Sequence, residues 1–239
     1  MMGFPSLIEP HLHGEMPMNS QAVLSSPGTA VSRETRPGMR TPVLGMLLFI
    51  TSEVMFFAGL FGAYFTIRFA HTELVNGVAT HVWPPTKFAG LLDPWRLTTE
   101  SGAPNVIVPA TLLLILSSFT CQVGVRAIAR GDQRRFVRAI TVTLALGAVF
   151  LALQAYDYTV LAREGLSVGG STFGTTYFTL TGFHGAHVLA GALMLGIVLY
   201  RGRSRQFSAR HHDMVEAVSL YWHFVDVVWV VLFSILYLT

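Results

Sequence analysis

The sequence predicts an all-α integral membrane protein: a helical bundle of five transmembrane helices, N-terminus inside and C-terminus outside. Three observations carry this. Of 239 residues, 52% are hydrophobic and only 12% charged, where soluble domains carry about a quarter charged residues. With a mean hydropathy of +0.53, there is too little charge to coat a water-facing surface. Second, five segments each hold the roughly 20 predominantly apolar residues that a bilayer-crossing helix needs. Third, the basic residues fall on alternate connections, as the positive-inside rule requires.

Residues 1–41, rich in Pro, Ser, Gly and Met, hold no apolar run long enough for a signal-peptide core or a span, and predict a flexible cytoplasmic or surface-lying tail. The membrane domain occupies 42–239. Its spans are Pro42 to Ala70, Pro104 to Ala129, Phe136 to Ala162, Phe173 to Tyr200 and Met214 to Leu238. Arg33, Arg36 and Arg40 precede the first span. Arg126, Arg130, Arg134, Arg135 and Arg138 surround the second connection, and Arg201, Arg203, Arg205 and Arg210 occupy the fourth. That side is therefore cytoplasmic, with Arg68, Lys87, Arg96 and Arg163 opposite. The first outer connection is the longest. Its Trp83-Pro84-Pro85 run excludes regular helix, because each proline restricts the residue before it. An extended loop anchored by interfacial Trp83 and Trp95 is the plain expectation.

Polar residues inside the spans define the candidate sites. Glu53 sits about eleven residues into the first helix, where an acidic side chain costs roughly 2.5 to 3.5 kcal/mol to insert. It is either a proton-active or gating carboxyl or a glutamic acid hydrogen-bonded to a neighbouring helix. On the fifth span, Glu216, Ser219, His223 and Asp226 fall within about 80° of one another at helical spacing, forming one polar stripe that must face protein or water. The fourth span carries His184 and His187 one turn apart, among small residues that permit close helix approach. Two histidines on one helix cannot supply opposite haem ligands, and a metal needs a third ligand group. Hydrogen-bonded packing is the plainer role for them. His211-His212-Asp213 at the inner mouth of the fifth span has a metal-like composition, but adjacent residues on an extended segment diverge. The neighbouring Arg201, Arg203 and Arg205 match anionic lipid headgroups.

Several functions are excluded or unsupported. A pI of about 9.3 rests on 16 basic against 13 acidic residues, too small an excess for nucleic-acid binding. Cys121 is the single cysteine, so no internal disulfide, iron–sulfur site or Cys-based zinc cluster can form. No phosphate loop, catalytic triad, HExxH or paired catalytic carboxylate occurs, and no catalytic residue and no metal site is assigned. The chain has the features of a subunit.

At these residues a resemblance emerges. The run from Gly45 to Phe57, containing Thr51-Ser52-Glu53, resembles a signature of subunit III of haem-copper terminal oxidases. Trp83-Pro84-Pro85, the Tyr177 to Val188 stretch with Thr181-Gly182-Phe183-His184-Gly185-Ala186-His187-Val188, and His211-His212 through Glu216 to Tyr221-Trp222-His223-Phe224-Val225-Asp226-Val227-Val228-Trp229 follow in the family's order. The resemblance covers roughly Pro42 to Thr239. It implies a five-helix, non-redox accessory subunit of a cytochrome c or quinol oxidase in a bacterial cytoplasmic membrane. In such a complex it packs against subunit I, beside subunit II and the other subunits. Haem and copper belong to those partners, and this chain itself binds phospholipid but no redox cofactor. The resemblance further implies a proton-related role for Glu53, headgroup contacts for Arg201, Arg203, Arg205, His211 and His212, and support of proton uptake and of subunit I during turnover. The chain departs from seven-helix members, which carry two further N-terminal helices, and in its Ser117 to Gln122 segment. Competing readings are an accessory subunit of a nitric oxide reductase, an autonomous haem b cytochrome using His184, His187 or His223, and a proton channel centred on Glu53 and Asp226.

Overall fold

A computed structural model describes residues 41–75, 78–85, 88, 90, 92–98 and 102–238; the tail expected over 1–41 lies, but for its last residue, outside them. Five helices follow in order: α1 Thr41–Ala70, α2 Ile107–Ala129, α3 Gln133–Arg163, α4 Thr172–Arg203 and α5 Asp213–Tyr237. All five are long and apolar enough to cross a membrane. They coincide with the five expected spans to within a few residues. The second begins later than its proline-led segment, at Ile107, because the Asn105 side chain accepts the Ile107 amide at 3.1 Å and so satisfies one of the free donors of the first turn.

Local chemistry sets the other ends. Asp132 caps α3 by accepting the Arg135 amide and Ser171 caps α4 by accepting that of Gly174. Asp213 and Glu216 lie in the first turn of α5, where carboxylates complement the exposed amides. Gly131, at φ 77°, makes the tight α2–α3 turn in a conformation that side-chain-bearing residues rarely adopt.

The helices pack in sequence, α2 on α3, α3 on α4, α4 on α5, while α1 lies on α5 and touches α4; among the described residues it makes no contact with α2. The centre is therefore α5, with half of its apolar window buried against 6% for α1. Lipid solvates leucine as well as protein does, so close packing and buried hydrogen bonds must hold these helices together. Trp222 is fully buried between two glycines, Gly147 on α3 and Gly191 on α4. A Cβ on either would stand 2.6 Å and 2.9 Å, respectively, from the indole. Trp222 Nε1 donates to Ser117 Oγ and Trp229 Nε1 to Thr111 Oγ1, each at 3.0 Å, fastening α5 to α2.

The long connection is more ordered than an extended loop. Strands β1 Glu73–Val75 and β2 Val78–Thr80 pair antiparallel, Leu74 opposite Ala79. The intervening Asn76-Gly77 in the sequence is a hairpin signal that could have revealed them; those two residues lie outside the described set.

Candidate functional site: a carboxyl–histidine pair and the polar seam beside it

Glu53 lies near the middle of α1, and its Oε2 is 2.9 Å from Nε2 of His187 on α4. The other ring nitrogen of His187, Nδ1, is 2.7 Å from the Phe183 carbonyl. A carbonyl only accepts, so Nδ1 carries a hydrogen. The contact with Glu53 then holds one proton between two acceptors, either on the carboxyl with a neutral ring or on an imidazolium facing a carboxylate. Phe57 stands 4.9 Å from the imidazole and Phe56 6.1 Å, while Tyr221 donates to the His187 carbonyl at 3.3 Å. Only 16% of the His187 side chain and 19% of that of Glu53 are exposed, so the shared proton is shielded by rings.

The stripe on α5 faces α2. Ser118 Oγ lies 2.6 Å from His223 Nδ1 and Gln122 Oε1 3.3 Å from Nε2. One set of roles satisfies both: the Ser118 hydroxyl donates to Nδ1, and Nε2–H donates to Gln122. The Cys121 thiol donates weakly to Ser219 at 3.6 Å. Asp226 is buried, and its carboxyl oxygens have no partner at hydrogen-bond distance among the described residues; the nearby Ser118 hydroxyl is taken by His223. Asp226, His223, Ser118, Gln122 and Arg126 border a groove of about 630 Å³ otherwise walled by apolar side chains.

The family model for cytochrome c oxidase subunit III matches residues 21–239. The chain belongs to that family. It is 40% identical over 211 residues to cytochrome c oxidase subunit 3 of Corynebacterium diphtheriae, covering 87% of this chain and 91% of that one. It is 36% identical over 224 residues to the subunit 3 of Thermostichus vulcanus, covering 91% and 98%. Against the subunit 3 of Scyliorhinus canicula it is 35% identical over 210 residues, covering 88% of this chain and 74% of the other.

Read as a subunit III, the chain distributes its motif residues among distinct tasks. His184, His187 and His223 enter three separate packings. His184 is buried, stacks on Trp229 with centroids 4.9 Å apart and meets Phe150 edge-on. Glu216 leaves the rest of the stripe to pair with His212 Nε2 at 3.0 Å. His212 Nδ1 lies 3.2 Å from the Ser208 carbonyl, so both of its nitrogens are engaged and the ring is buried at the foot of α5. The expected headgroup role for His212 therefore has no free ring nitrogen to serve it, while His211 is exposed.

The arginines that were adjacent in sequence also separate. Arg201 Nε donates to Gln206 Oε1 at 2.9 Å and its guanidinium lies 5.3 Å over the Phe207 ring. With Gln206, Phe207, His211 and Met214 it lines one cavity, whereas Arg203 and Arg205 line another with Arg134 and Arg138 of α3. The outer motif is likewise used differently from the interfacial anchor expected. Trp83 Nε1 donates to the buried Tyr64 hydroxyl at 2.9 Å, and the indole meets Phe173 edge-on at 5.1 Å. Trp83 follows the bundle because its N–H finds a buried acceptor, and Pro85 is buried beside it; Trp95 stays 75% exposed. Trp83–Pro84 is a cis peptide.

Two groups escaped sequence reasoning. Ser118 and Gln122 are ordinary polar residues in α2, recognisable only once His223 stands opposite. Asp157 accepts a hydrogen bond from Tyr177 at 3.2 Å, and Tyr177 also bonds the Tyr237 hydroxyl, joining α3, α4 and α5. An acid within the predicted third span was the available signal.

Proposed function

We propose that this chain is the non-redox accessory subunit of a cytochrome c oxidase in a bacterial cytoplasmic membrane. It stabilises the haem-copper subunit I during turnover and supports proton uptake through the Glu53–His187 pair. Family membership makes it part of an oxidase complex; subunit I and subunit II as its neighbours, and haem and copper held by them, complete the proposal. The electron donor is chosen by those subunits. The observation that carries the proton role is the 2.9 Å contact between Glu53 Oε2 and His187 Nε2, with Nδ1 committed to the Phe183 carbonyl and the rings of Phe56 and Phe57 alongside. The N-in, C-out topology puts the arginine-rich end of the bundle on the cytoplasmic side, where Arg201, Arg203, Arg205 and His211 meet anionic headgroups.

Purification of the full chain from its membranes in mild detergent tests this directly. Oxidase polypeptides and haem pigment are expected to accompany it in fixed ratio. Recovery of the chain without a haem-copper partner would overturn the assignment. A Soret band carried by the isolated chain, or proton flux through it alone in liposomes, would favour the haem b cytochrome or the channel instead. A haem-iron partner in place of haem-copper would indicate a nitric oxide reductase.

A further inference from the structure

Between α2 and α5 a buried carboxyl is left without a partner at the edge of an open concavity. Asp226 is 6% exposed, its two oxygens have no hydrogen-bond partner among the described residues, and it lines the groove of about 630 Å³. A carboxyl left so costs stability unless something placed beside it gives or takes a hydrogen bond. Phe119, Val123, Val227 and Val230 on the groove walls are exposed, so whatever completes the site enters sideways from the bilayer.

Depth and size narrow the occupant. Because α5 runs Asp213–Tyr237, Asp226 stands about 20 Å from its first residue and about 17 Å from its last, near the middle of a hydrocarbon core about 30 Å thick. Phospholipid headgroups do not reach that depth, and an acyl chain has nothing to offer a carboxyl. The concavity is also local. From Ile115 to Arg126, its ends on α2, the helix rises about 16 Å. Its volume and its apolar walls with a few polar groups among them are those of a small-molecule cleft, not of a seam that follows a packed helix across the whole membrane.

The polar groups give the occupant its shape. Ser118 Oγ and Gln122 Oε1 meet opposite nitrogens of the His223 ring, at 2.6 Å and 3.3 Å, and stand about one turn apart on α2. Asp226 adjoins Ser118, so its carboxyl and the Gln122 amide lie toward opposite ends of a flat imidazole. A carboxyl accepts hydrogen bonds when ionised and gives one when protonated, and an amide does both. Two such groups a turn apart match a ring with oxygens at its opposite ends that interconvert between carbonyl and hydroxyl. Phe119 and the imidazole offer flat faces to such a ring, and the apolar walls suit a hydrocarbon tail.

We infer that the α2–α5 groove binds an isoprenoid quinone, its ring between Asp226 and Gln122 and its tail along Ile115, Val230 and Val231. Binding alone is proposed, and no electron transfer is assigned to the site. This goes beyond the accessory role proposed above and rests on that reading only in using the purified oxidase as test material.

The test measures radiolabelled decylbenzoquinone, oxidised and reduced, bound per purified complex by the parent and four variants. Probe held by partner subunits is the same throughout, so differences from the parent report this groove. Asp226→Leu removes a carboxyl that bonds nothing in the fold, so folding loses no hydrogen bond, and it is expected to weaken binding of both forms roughly thirtyfold. Asp226→Asn keeps a group that gives and takes hydrogen bonds and is expected to bind within about threefold of the parent. Val230→Trp fills the groove from an exposed wall position and is expected to abolish binding with Asp226 in place. Leu193→Trp, as bulky a change on the exposed face of α4, is expected to leave binding unchanged. Binding unaffected by Asp226→Leu or by Val230→Trp overturns the inference, and so does an equal loss in Asp226→Leu and Asp226→Asn. A photocrosslinking probe at Phe119 in intact membranes is expected to capture quinone. Capture of a polypeptide instead marks a partner helix in the groove and capture of phospholipid marks ordinary lipid, and either overturns the inference as well. Failure of the functional assignment looks different: the parent chain then emerges without oxidase polypeptides, and bound probe is still counted on the chain itself.

Discussion

Glu53 and His187, 134 residues apart in sequence, meet at 2.9 Å between α1 and α4. Because Phe183 fixes the Nδ1 hydrogen of His187, the pair has one proton to share. Few other contacts hold α1 to α4, so this hydrogen bond joins a peripheral helix to the bundle.

Glu53→Gln keeps an amide that can bond His187 but removes the exchangeable carboxyl proton. The variant complex is expected to assemble at parental levels, with slower proton uptake and a shorter catalytic lifetime under sustained turnover. Stopped-flow proton uptake and activity loss against turnover number measure these. Uptake and lifetime both equal to the parent leave Glu53 with a packing role only. His187→Leu strands the carboxyl instead and is expected to cost about 1 to 3 kcal/mol of stability, read as a lower melting temperature of the complex.

Trp222 fits between Gly147 and Gly191 with no room for a methyl group on either. Gly147→Ala is expected to destabilise the subunit by about 1 to 3 kcal/mol through overpacking. A second change, Trp222→Phe, makes space and should recover part of that loss in a double-mutant cycle. Additive effects in the cycle would contradict the wedge.

Tyr64→Phe removes the hydroxyl that accepts the Trp83 indole N–H. The connection between α1 and α2 then loses its anchor to the bundle. Limited proteolysis is expected to nick this connection faster in the variant, with α1 to α5 intact. Equal nicking rates would mean that ring packing on Phe173 suffices.

Cys121 is fully buried, so the parent chain is expected to resist impermeant thiol reagents. This allows orientation to be read from single added cysteines. Trp95→Cys should label from the outer face of intact cells and Arg210→Cys only after permeabilisation. The reverse pattern overturns the N-in topology.

Much of the fold was legible. The five helices were visible because a bilayer demands about 20 apolar residues per crossing, and charged or proline-containing connections separate them. The stripe from Glu216 to Asp226 was legible from helical spacing, though not that Glu216 turns aside to His212. The hairpin escaped because six residues of strand around Asn76-Gly77 are a weak signal within a long connection. Arg201, Arg203 and Arg205 look like one cluster in sequence, yet alternate residues at a helix end point apart, and only the structure sends Arg201 toward Gln206 and Arg203 toward α3.

The sequence by itself determined the membrane class, the number of spans and the family, because hydropathy, basic-residue placement and four motifs are local properties of the chain. The tertiary structure decided which polar groups meet: Glu53 with His187, His223 with Ser118 and Gln122, Trp83 with Tyr64, and four arginines across the α3–α4 seam. Periodicity places a residue on a face of its own helix, but the partner is set by how helices rotate and slide against one another. That is fixed by close fits such as Trp222 between Gly147 and Gly191, which involve three helices at once.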